Sequence, residues 1–244
     1  MVNFLRLNKF LIYFLSVSVI VLAAVLFFVI GFYINNNSLK IALAANQELG
    51  GFAWAARPVP FGTELGGPGW ISFNCLDGGA GACVTSDYKV FYSDVTGWLE
   101  GYAWSSNIGW IRFYDFGFYP ESPNTMANIN LATGAVTGWA RACAVFQSGC
   151  MGALKPDYER GGWDGWIKMA GTATDGSPYG LRFDNISGRF LPNNFAWGSN
   201  VIGWINFCIT PGTTMCVGRV SGALPPPTTA TTTPPGGWHE VPPS

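Results

Sequence analysis

The stretch "GYAWSSNIGWIRF", residues 101–113, carries two tryptophans six positions apart, with small residues, an asparagine and a glycine between them. The phrase returns as "NFAWGSNVIGWINF" at 194–207 and, in a longer form, as "GFAWAARPVPFGTELGGPGWISF" at 51–73. Strong strand-forming residues on both sides of a turn rich in glycine and asparagine are typical of a β-hairpin. The sequence therefore predicts one hairpin repeated along the chain.

The body of the chain, residues 50–223, extends this hairpin into repeated three-stranded antiparallel units. In one unit, "YKVFYSDVTG" precedes "WLEGYAWSSN", and "IGWIRFY" closes it. The first unit begins at its middle strand, "GFAWAA", whereas "GRVSGAL" near the other end restates "GAVTGWA" and stops. A three-stranded unit cannot bury its apolar face alone, so neighbouring units must stack or close around an axis. We predict an all-β domain closed like a propeller or barrel, the end strand docking beside the beginning; an open stack is the alternative.

Alternation along the third strand of each unit predicts which side chains face the core. Successive strand side chains point to opposite faces. The predicted core pairs are Ile71 with Phe73, Ile111 with Phe113, Ile167 with Met169, and Ile205 with Phe207. The opposite face carries Trp70 with Ser72, Trp110 with Arg112, Trp166 with Lys168, and Trp204 with Asn206. In the middle strands, aromatic side chains line one face, and Ala53, Ala103 and Ala196 line the other face. The small alanine side chain lets another backbone come close to that face.

The cysteines predict a disulfide-stabilised, exported domain. An even number of closely paired cysteines argues for disulfides in a non-cytoplasmic chain. The local pairs are Cys75 with Cys83, Cys143 with Cys150, and Cys208 with Cys216. Closing each short loop stabilises the fold by roughly 2.5 kcal/mol on the chain-entropy model. A zinc site is not expected, because there is no Cys-x-x-Cys and the only histidine, His239, lies in the tail.

The amino-terminal region predicts a membrane anchor. Residues 10–34 carry no charge, and as a helix they would span roughly 37 Å, enough to cross a bilayer core of about 30 Å. Arg6 and Lys9 precede this segment, so the positive-inside rule leaves residues 1–9 in the cytoplasm. Residues 35–49 would then form a linker, and the body would lie outside the cell.

A cleaved signal peptide is the alternative to an anchor. The motif "ALA" at 42–44 fits a cleavage site, and cleavage there would release a secreted chain beginning at Ala45. We favour the anchor, because the apolar segment exceeds the length of a usual signal-peptide core. At the other end, residues 224–244 are rich in proline and threonine, which is typical of an extended spacer.

The sequence of the repeat resembles that of a known group of proteins. The phrases "GYAWSSNIGWI", "TGAVTGWARAC" and "GGWDGWIKMAG" are similar to a repeat in uncharacterised exported proteins of candidate phyla radiation bacteria. The resemblance covers most of the body, from about residue 50 to residue 222. It implies an extracellular or envelope protein, and it implies no catalytic residues, because no activity is established for these proteins.

Composition and residue types argue against two functional classes. Charged residues make up 11% of the chain and the formal net charge is −1, so no basic surface is expected to hold nucleic acid. A nucleophile–histidine arrangement needs a histidine in the folded body. We interpret the candidate carboxylates as turn residues, since none recurs from unit to unit: Glu100, Asp115, Asp157, Glu159 and Asp164. We therefore predict no enzyme, cofactor or metal.

The tryptophans give the leading functional hypothesis. Trp70, Trp110, Trp166 and Trp204 would be the contact points of a surface binding or adhesion module, with a glycan or a cell-surface protein as ligand. The same rings could instead pack between units and only hold the repeat together. A structural envelope component that self-associates is the alternative function, and an envelope hydrolase is the least favoured.

Overall fold

The structure, a computed structural model, describes residues 46–56, 68–79 and 81–220. The predicted membrane segment 10–34, the cleavage motif at 42–44 and the tail 224–244 lie outside these residues. Within the described ranges, no helix has both the length and the apolar character needed to cross a membrane.

Short strands account for most of the regular structure. They are β1 (Asn46–Gly50), β2 (Phe52–Ala56), β3 (Gly69–Ser72), β4 (Val90–Ser93), β5 (Leu99–Ser105), β6 (Gly109–Phe113), β7 (Asn128–Ile129), β8 (Val136–Thr137), β9 (Trp139–Ala142), β10 (Trp166–Lys168), β11 (Ala170–Thr172), β12 (Pro178–Gly180), β13 (Phe183–Asp184), β14 (Arg189–Phe190), β15 (Phe195–Trp197), β16 (Trp204–Asn206) and β17 (Gly218–Arg219). The helices of the described ranges are single turns: the 3₁₀ segments Cys75–Gly78 and Cys143–Val145 and the α segments Ala82–Thr85, Asp157–Arg160 and Ser199–Ile202.

Eight antiparallel strands close into a barrel. Their order is β5, β3, β2, β16, β15, β10, β9 and β6, and β6 pairs back onto β5. Each unit contributes one hairpin made of its second and third strands: β2–β3, β5–β6, β9–β10 and β15–β16. The prediction of a closed all-β domain is therefore confirmed, and the closure is that of a barrel.

The first strands of the units close a second ring beyond one end of this barrel. They form the hairpins β4–β5, β7–β8 and β13–β14 and the ladder β17–β1. Neighbouring hairpins are joined by the β1–β4 and β14–β17 ladders and by the bridges Trp98↔Asn128 and Ala135↔Arg182. We call this the turn end, because the hairpin turns 94–97, 131–134 and 185–188 lie there, and the opposite end is the far end.

The last strand completes the first unit. Leu49 pairs with Arg219 and Gly50 with Gly218, so β17 docks beside β1 as predicted. The Arg219 side chain secures this closure, since its Nε donates to the Tyr92 hydroxyl and its Nη2 to the Asn185 carbonyl, 3.2 Å away. β1 itself begins at Asn46, inside the segment 35–49 that the sequence analysis interprets as a linker.

The barrel core follows the alternation of the third strands. All eight predicted core residues are at most 2% exposed. Each isoleucine stands directly opposite a fully buried alanine of the middle strand: Ile71↔Ala53, Ile111↔Ala103, Ile167↔Ala140 and Ile205↔Ala196. The small side chain leaves room for the large one, so the same packing unit recurs around the barrel.

The three local disulfides form as predicted: Cys75–Cys83, Cys143–Cys150 and Cys208–Cys216. The first and third close loops that run from the third strand of one unit to the first strand of the next. The second closes a loop between β9 and β10 at the far end. Each bond therefore constrains a segment that leaves the barrel and returns to it.

A glycine bends the middle strand where the two rings meet. Gly101 has φ +100°, and a Cβ there would lie 2.1 Å from the Lys89 carbonyl oxygen. Gly51 and Gly138 occupy the same place in their units, with a carbonyl oxygen 2.4 and 2.1 Å from the Cβ position. The neighbouring backbone leaves space for hydrogen only, so glycine is required.

We predict that Gly101→Ala lowers the free energy of unfolding by about 3 kcal/mol, because the new methyl adds a backbone overlap to an unfavourable positive φ. Gly117→Ala is the matched control: Gly117 also has a positive φ, but its Cβ position has no atom within 4 Å. We expect a loss of about 1 kcal/mol there. Urea unfolding of the purified variants measures both values. Equal losses would contradict the close approach at Gly101.

Candidate functional site

Four cross-strand pairs on the outer surface flank the turns of the barrel hairpins. They are Trp54↔Trp70, Trp104↔Trp110, Arg141↔Trp166 and Trp197↔Trp204. We call these eight residues the girdle. The adjacent alanine and isoleucine point into the core, so the girdle residues point outward. The turns that join the second and third strands of each unit lie at the far end, away from the first strands. The girdle residues lie next to these turns, so the girdle surrounds the far end.

The girdle pairs are close ring contacts. The tryptophan centroids lie 4.8 Å apart in the first unit, 4.6 Å in the second and 4.5 Å in the fourth. In the third unit the Arg141 guanidinium lies 4.3 Å from the Trp166 ring centroid, so a cation–π contact replaces the tryptophan pair. Arg141 Nε also donates to the Asp164 carbonyl at 2.9 Å, and burial lowers the pKa of Arg141.

Polar residues lie where each unit pairs with the next. Every third strand carries a polar residue two positions after its tryptophan, directly opposite a girdle residue of the following unit. These cross-strand pairs are Ser72↔Trp104, Arg112↔Arg141, Lys168↔Trp197 and Asn206↔Trp54. The third-strand tryptophans therefore share their face with polar side chains, as the alternation predicts.

Aromatic side chains from the preceding loops cap three of the third-strand tryptophans. Tyr88 meets Trp110 at 5.1 Å, Phe116 meets Trp166 at 5.1 Å and Tyr179 meets Trp204 at 4.9 Å, all edge to face. This geometry is a favourable one for aromatic pairs. The caps fasten loops of different length and sequence onto the same repeated surface.

The predicted contact residues differ in exposure. Trp110 and Trp166 are each only 6% exposed: Trp110 packs with the Cys143–Cys150 disulfide, and Trp166 packs with Phe116 and Trp139. Trp70 and Trp204 are partly exposed. Their girdle partners, Trp54 and Trp197, are partly exposed as well. The geometry thus offers two tryptophan pairs to a ligand, and a contact surface made of all four predicted residues stays a prediction.

The carboxylates considered as catalytic candidates in the sequence make short-range contacts within turns, wherever the structure shows a contact for them. Asp115 accepts hydrogen bonds from the Gly117 amide at 2.9 Å and the Tyr119 hydroxyl at 2.8 Å, and these bonds lower the pKa of Asp115. Asp157 pairs with Arg160 within one helical turn. Asp164 accepts from the Trp166 amide at 3.4 Å. Glu100 lies on β5 opposite Phe91, and Glu159 is exposed.

Asp77 is the carboxylate with a strongly raised pKa in the described ranges. Its Oδ1 accepts from the Gly51 amide at 2.6 Å, and its Oδ2 accepts from the Ser72 hydroxyl at 2.9 Å. The amides of Phe73 and Asn74 also donate to Oδ2, at 3.1 and 3.0 Å. Burial nevertheless raises the pKa of Asp77 to about 6. With four donors around it, the carboxylate ties the Cys75 loop to the barrel.

One group of possible metal-binding side chains lies beside this loop. It consists of Cys75, Cys83 and Asp87. Both sulfur atoms belong to a disulfide, and a disulfide sulfur is not the thiolate that binds zinc. This group therefore does not form a metal site in the oxidised protein.

No protein-family model matches the chain, and no curated protein or solved structure is similar to it. Its function therefore has to be inferred from the girdle and the groups around it.

We predict that Asp77 makes the protein less stable as the pH rises from 4 to 6. The pKa of Asp77 is about 6 in the folded chain against an ordinary 3.8, so the folded state holds more protons in this interval and the free energy of unfolding falls. The difference corresponds to at most roughly 3 kcal/mol.

The control is Asp77→Asn, which retains the shape but does not titrate. Exposed carboxylates with lowered pKa values, such as Asp115 and Asp184, act in the opposite direction in both proteins. The quantity to compare is therefore the difference between the two curves from denaturant unfolding at several pH values. Parallel curves from pH 4 to 6.5 would show that burial does not govern the titration of Asp77.

Proposed function

We propose that this chain is a membrane-anchored, extracellular binding or adhesion module that contacts a glycan or a cell-surface protein through its girdle. The observation that carries the proposal is the partial exposure of the pairs Trp54–Trp70 and Trp197–Trp204. Tryptophan rings at a protein surface supply rigid, largely apolar contact area and are enriched among the residues that dominate binding energy. Polar side chains beside each pair supply the hydrogen bonds that give direction to such contacts.

The position of the girdle supports this function. β1 begins at Asn46 opposite Ser93, and the Val220 amide donates to the Glu48 carbonyl at 2.9 Å, so both ends of the domain lie at the turn end. The girdle surrounds the other end. A ligand can therefore reach it without meeting the strands through which the chain enters and leaves the barrel.

Three features support an extracellular location with an anchor. The disulfides suit an oxidising compartment. Residues 10–34 suit a single membrane-spanning helix with residues 1–9 in the cytoplasm. The repeat resembles that of exported proteins. Secretion after cleavage near Ala44 is the alternative.

A self-assembling envelope component is the alternative function. The two closed rings pair the strands on both sides around the barrel, so assembly by edge-to-edge strand pairing has few free edges to use. Copies would have to associate through side chains, and the exposed girdle pairs would again provide the contact. A hydrolase is favoured least, because the raised pKa belongs to a carboxylate already surrounded by hydrogen-bond donors.

We predict that the double variant Trp70→Ala/Trp204→Ala loses binding to its surface ligand by roughly thirtyfold, since each tryptophan is a hot-spot candidate. Trp98→Ala is the matched control, because Trp98 is 36% exposed but lies at the turn end. Binding of the full chain in nanodiscs to intact cells and to immobilised glycans measures the effect. Unchanged binding in the double variant, or an equal loss in the control, would refute a role for the girdle.

We predict that the full chain stays in the membrane fraction after high-salt and carbonate washes, because an apolar segment in lipid is not released by screening charges. Sequencing of the mature amino terminus provides an independent measurement. A mature chain that begins at Ala45 would establish cleavage and exclude the anchor.

A further inference from the structure

The tyrosines that pack on third-strand tryptophans differ in how their hydroxyls are used. The Tyr88 hydroxyl donates to Ser72 Oγ at 2.8 Å, and the Tyr119 hydroxyl donates to Asp115 at 2.8 Å. The Tyr179 hydroxyl donates to no residue in the described part of the chain. A phenol next to a partly exposed tryptophan is thus left available to a ligand.

Tyr179 is held in place by its hairpin. It lies on β12 directly opposite Gly171 of β11, and a Cβ at Gly171 would come within 2.7 Å of the Tyr179 oxygen. The absence of a side chain at Gly171 lets the tyrosine lie across the hairpin. Its ring reaches Trp204 at 4.9 Å, and Trp204 reaches Trp197 at 4.5 Å. These three partly exposed rings lie between the third and fourth units with 80° between the planes of Tyr179 and Trp204 and 55° between those of Trp204 and Trp197. We call them the aromatic surface.

An ion pair borders this surface. Lys168 stands directly opposite Trp197, and its Nζ lies 2.5 Å from Glu121 Oε1. The Glu121 side chain is 61% exposed, so its remaining lone pairs face solvent. Burial first, and the negative charge of Glu121 second, raise the pKa of Tyr179 to about 12. The pair carries no net charge.

We propose that Tyr179, Trp197, Trp204, Glu121 and Lys168 form a subsite for a neutral saccharide. This inference rests on the proposed binding function and names its ligand class. The C–H face of a pyranose ring stacks on the aromatic surface. Its hydroxyl groups donate to Glu121 and exchange hydrogen bonds with the Tyr179 hydroxyl.

The chemistry of the subsite favours a neutral sugar over other ligands. An anionic group would meet the exposed carboxylate of Glu121, and a cation would compete with Lys168 for it. An apolar ligand would leave the Tyr179 hydroxyl and the Glu121 oxygens without partners, which costs binding energy. A polyhydroxylated, uncharged ring satisfies both the aromatic surface and the polar border.

Among the described residues, the other units lack this combination. Trp110 is covered by Tyr88 and the Cys143–Cys150 disulfide, and Trp166 is covered by Phe116, Tyr119 and Trp139. In the described ranges, the ring contacts of Trp70 are with Phe52 and Trp54, neither of which offers a hydroxyl or a charge. The subsite is therefore a property of one junction of the repeat.

The test uses the full chain in nanodiscs and a fixed set of probes. The neutral probes are cellohexaose, mannohexaose, galactohexaose and chitohexaose, and hexagalacturonate is the acidic probe. Binding is measured by calorimetry and by saturation-transfer NMR. We expect the chain to bind a neutral probe at millimolar concentration and hexagalacturonate more weakly.

The matched variants are Tyr179→Phe and Tyr119→Phe. Each removes one hydroxyl and keeps the ring, but among the described residues the Tyr119 hydroxyl has a hydrogen-bond partner and the Tyr179 hydroxyl has none. We expect Tyr179→Phe to weaken binding roughly three- to tenfold, the range for one hydrogen bond, and Tyr119→Phe to leave it unchanged. Glu121→Gln should also weaken binding, because it removes the ion pair and one acceptor.

Three results would overturn the subsite: binding of no neutral probe, stronger binding of hexagalacturonate, or equal binding by wild type and Tyr179→Phe. The proposed function is judged separately by attachment of the chain to intact cells. Attachment without neutral-saccharide binding would reject the subsite and leave the binding function standing. Absence of both cell attachment and neutral-saccharide binding would reject the proposed function and the subsite.

Discussion

The register of the alanine–isoleucine pairs is the constraint on which the rest of the structure depends. Strand side chains alternate, so a slip by one residue would move each third-strand isoleucine to the outer surface and each third-strand tryptophan into the core. The core has no room for such a change, because each isoleucine already faces a fully buried alanine. The closed barrel and the outward direction of the girdle are therefore two consequences of one packing rule.

Closure adds a second constraint that is not local in sequence. The first unit obtains its first strand from β17, at the other end of the described domain, and Arg219 bonds this strand to Tyr92 of the second unit. Neither the first nor the second ring is complete until both ends have met. Stability is thus shared around the ring, and each unit can vary its loops as long as the alanine and the isoleucine remain.

The sequence was sufficient to predict the features that recur from unit to unit. It was insufficient to predict the loop contacts that differ between units. Strand alternation predicted the core residues, local spacing predicted the three disulfides, and the restated phrase "GRVSGAL" predicted the docking of β17. The burial of Trp110 and Trp166 depends on loops that come from elsewhere in the chain, and no repeated pattern encodes those contacts. β1 escaped recognition because the Gly50–Gly51 step interrupts the strand pattern, although "LGGFAW" at 49–54 parallels "LEGYAW" at 99–104. Tyr179 comes from a loop with no counterpart in the other units.

These differences between units explain how a symmetric scaffold can present an asymmetric surface. The girdle supplies a ring pair, or an arginine over a ring, at each of four equivalent positions, and the loops that pack on each position decide its exposure. The loop containing Phe116 and Tyr119 covers Trp166, and the same loop sends Glu121 to Lys168 beside the neighbouring pair. One loop therefore covers Trp166 and also places an ion pair beside the neighbouring Trp197–Trp204 pair. The loops thus decide which rings are exposed, while the repeated residues fix where the rings stand.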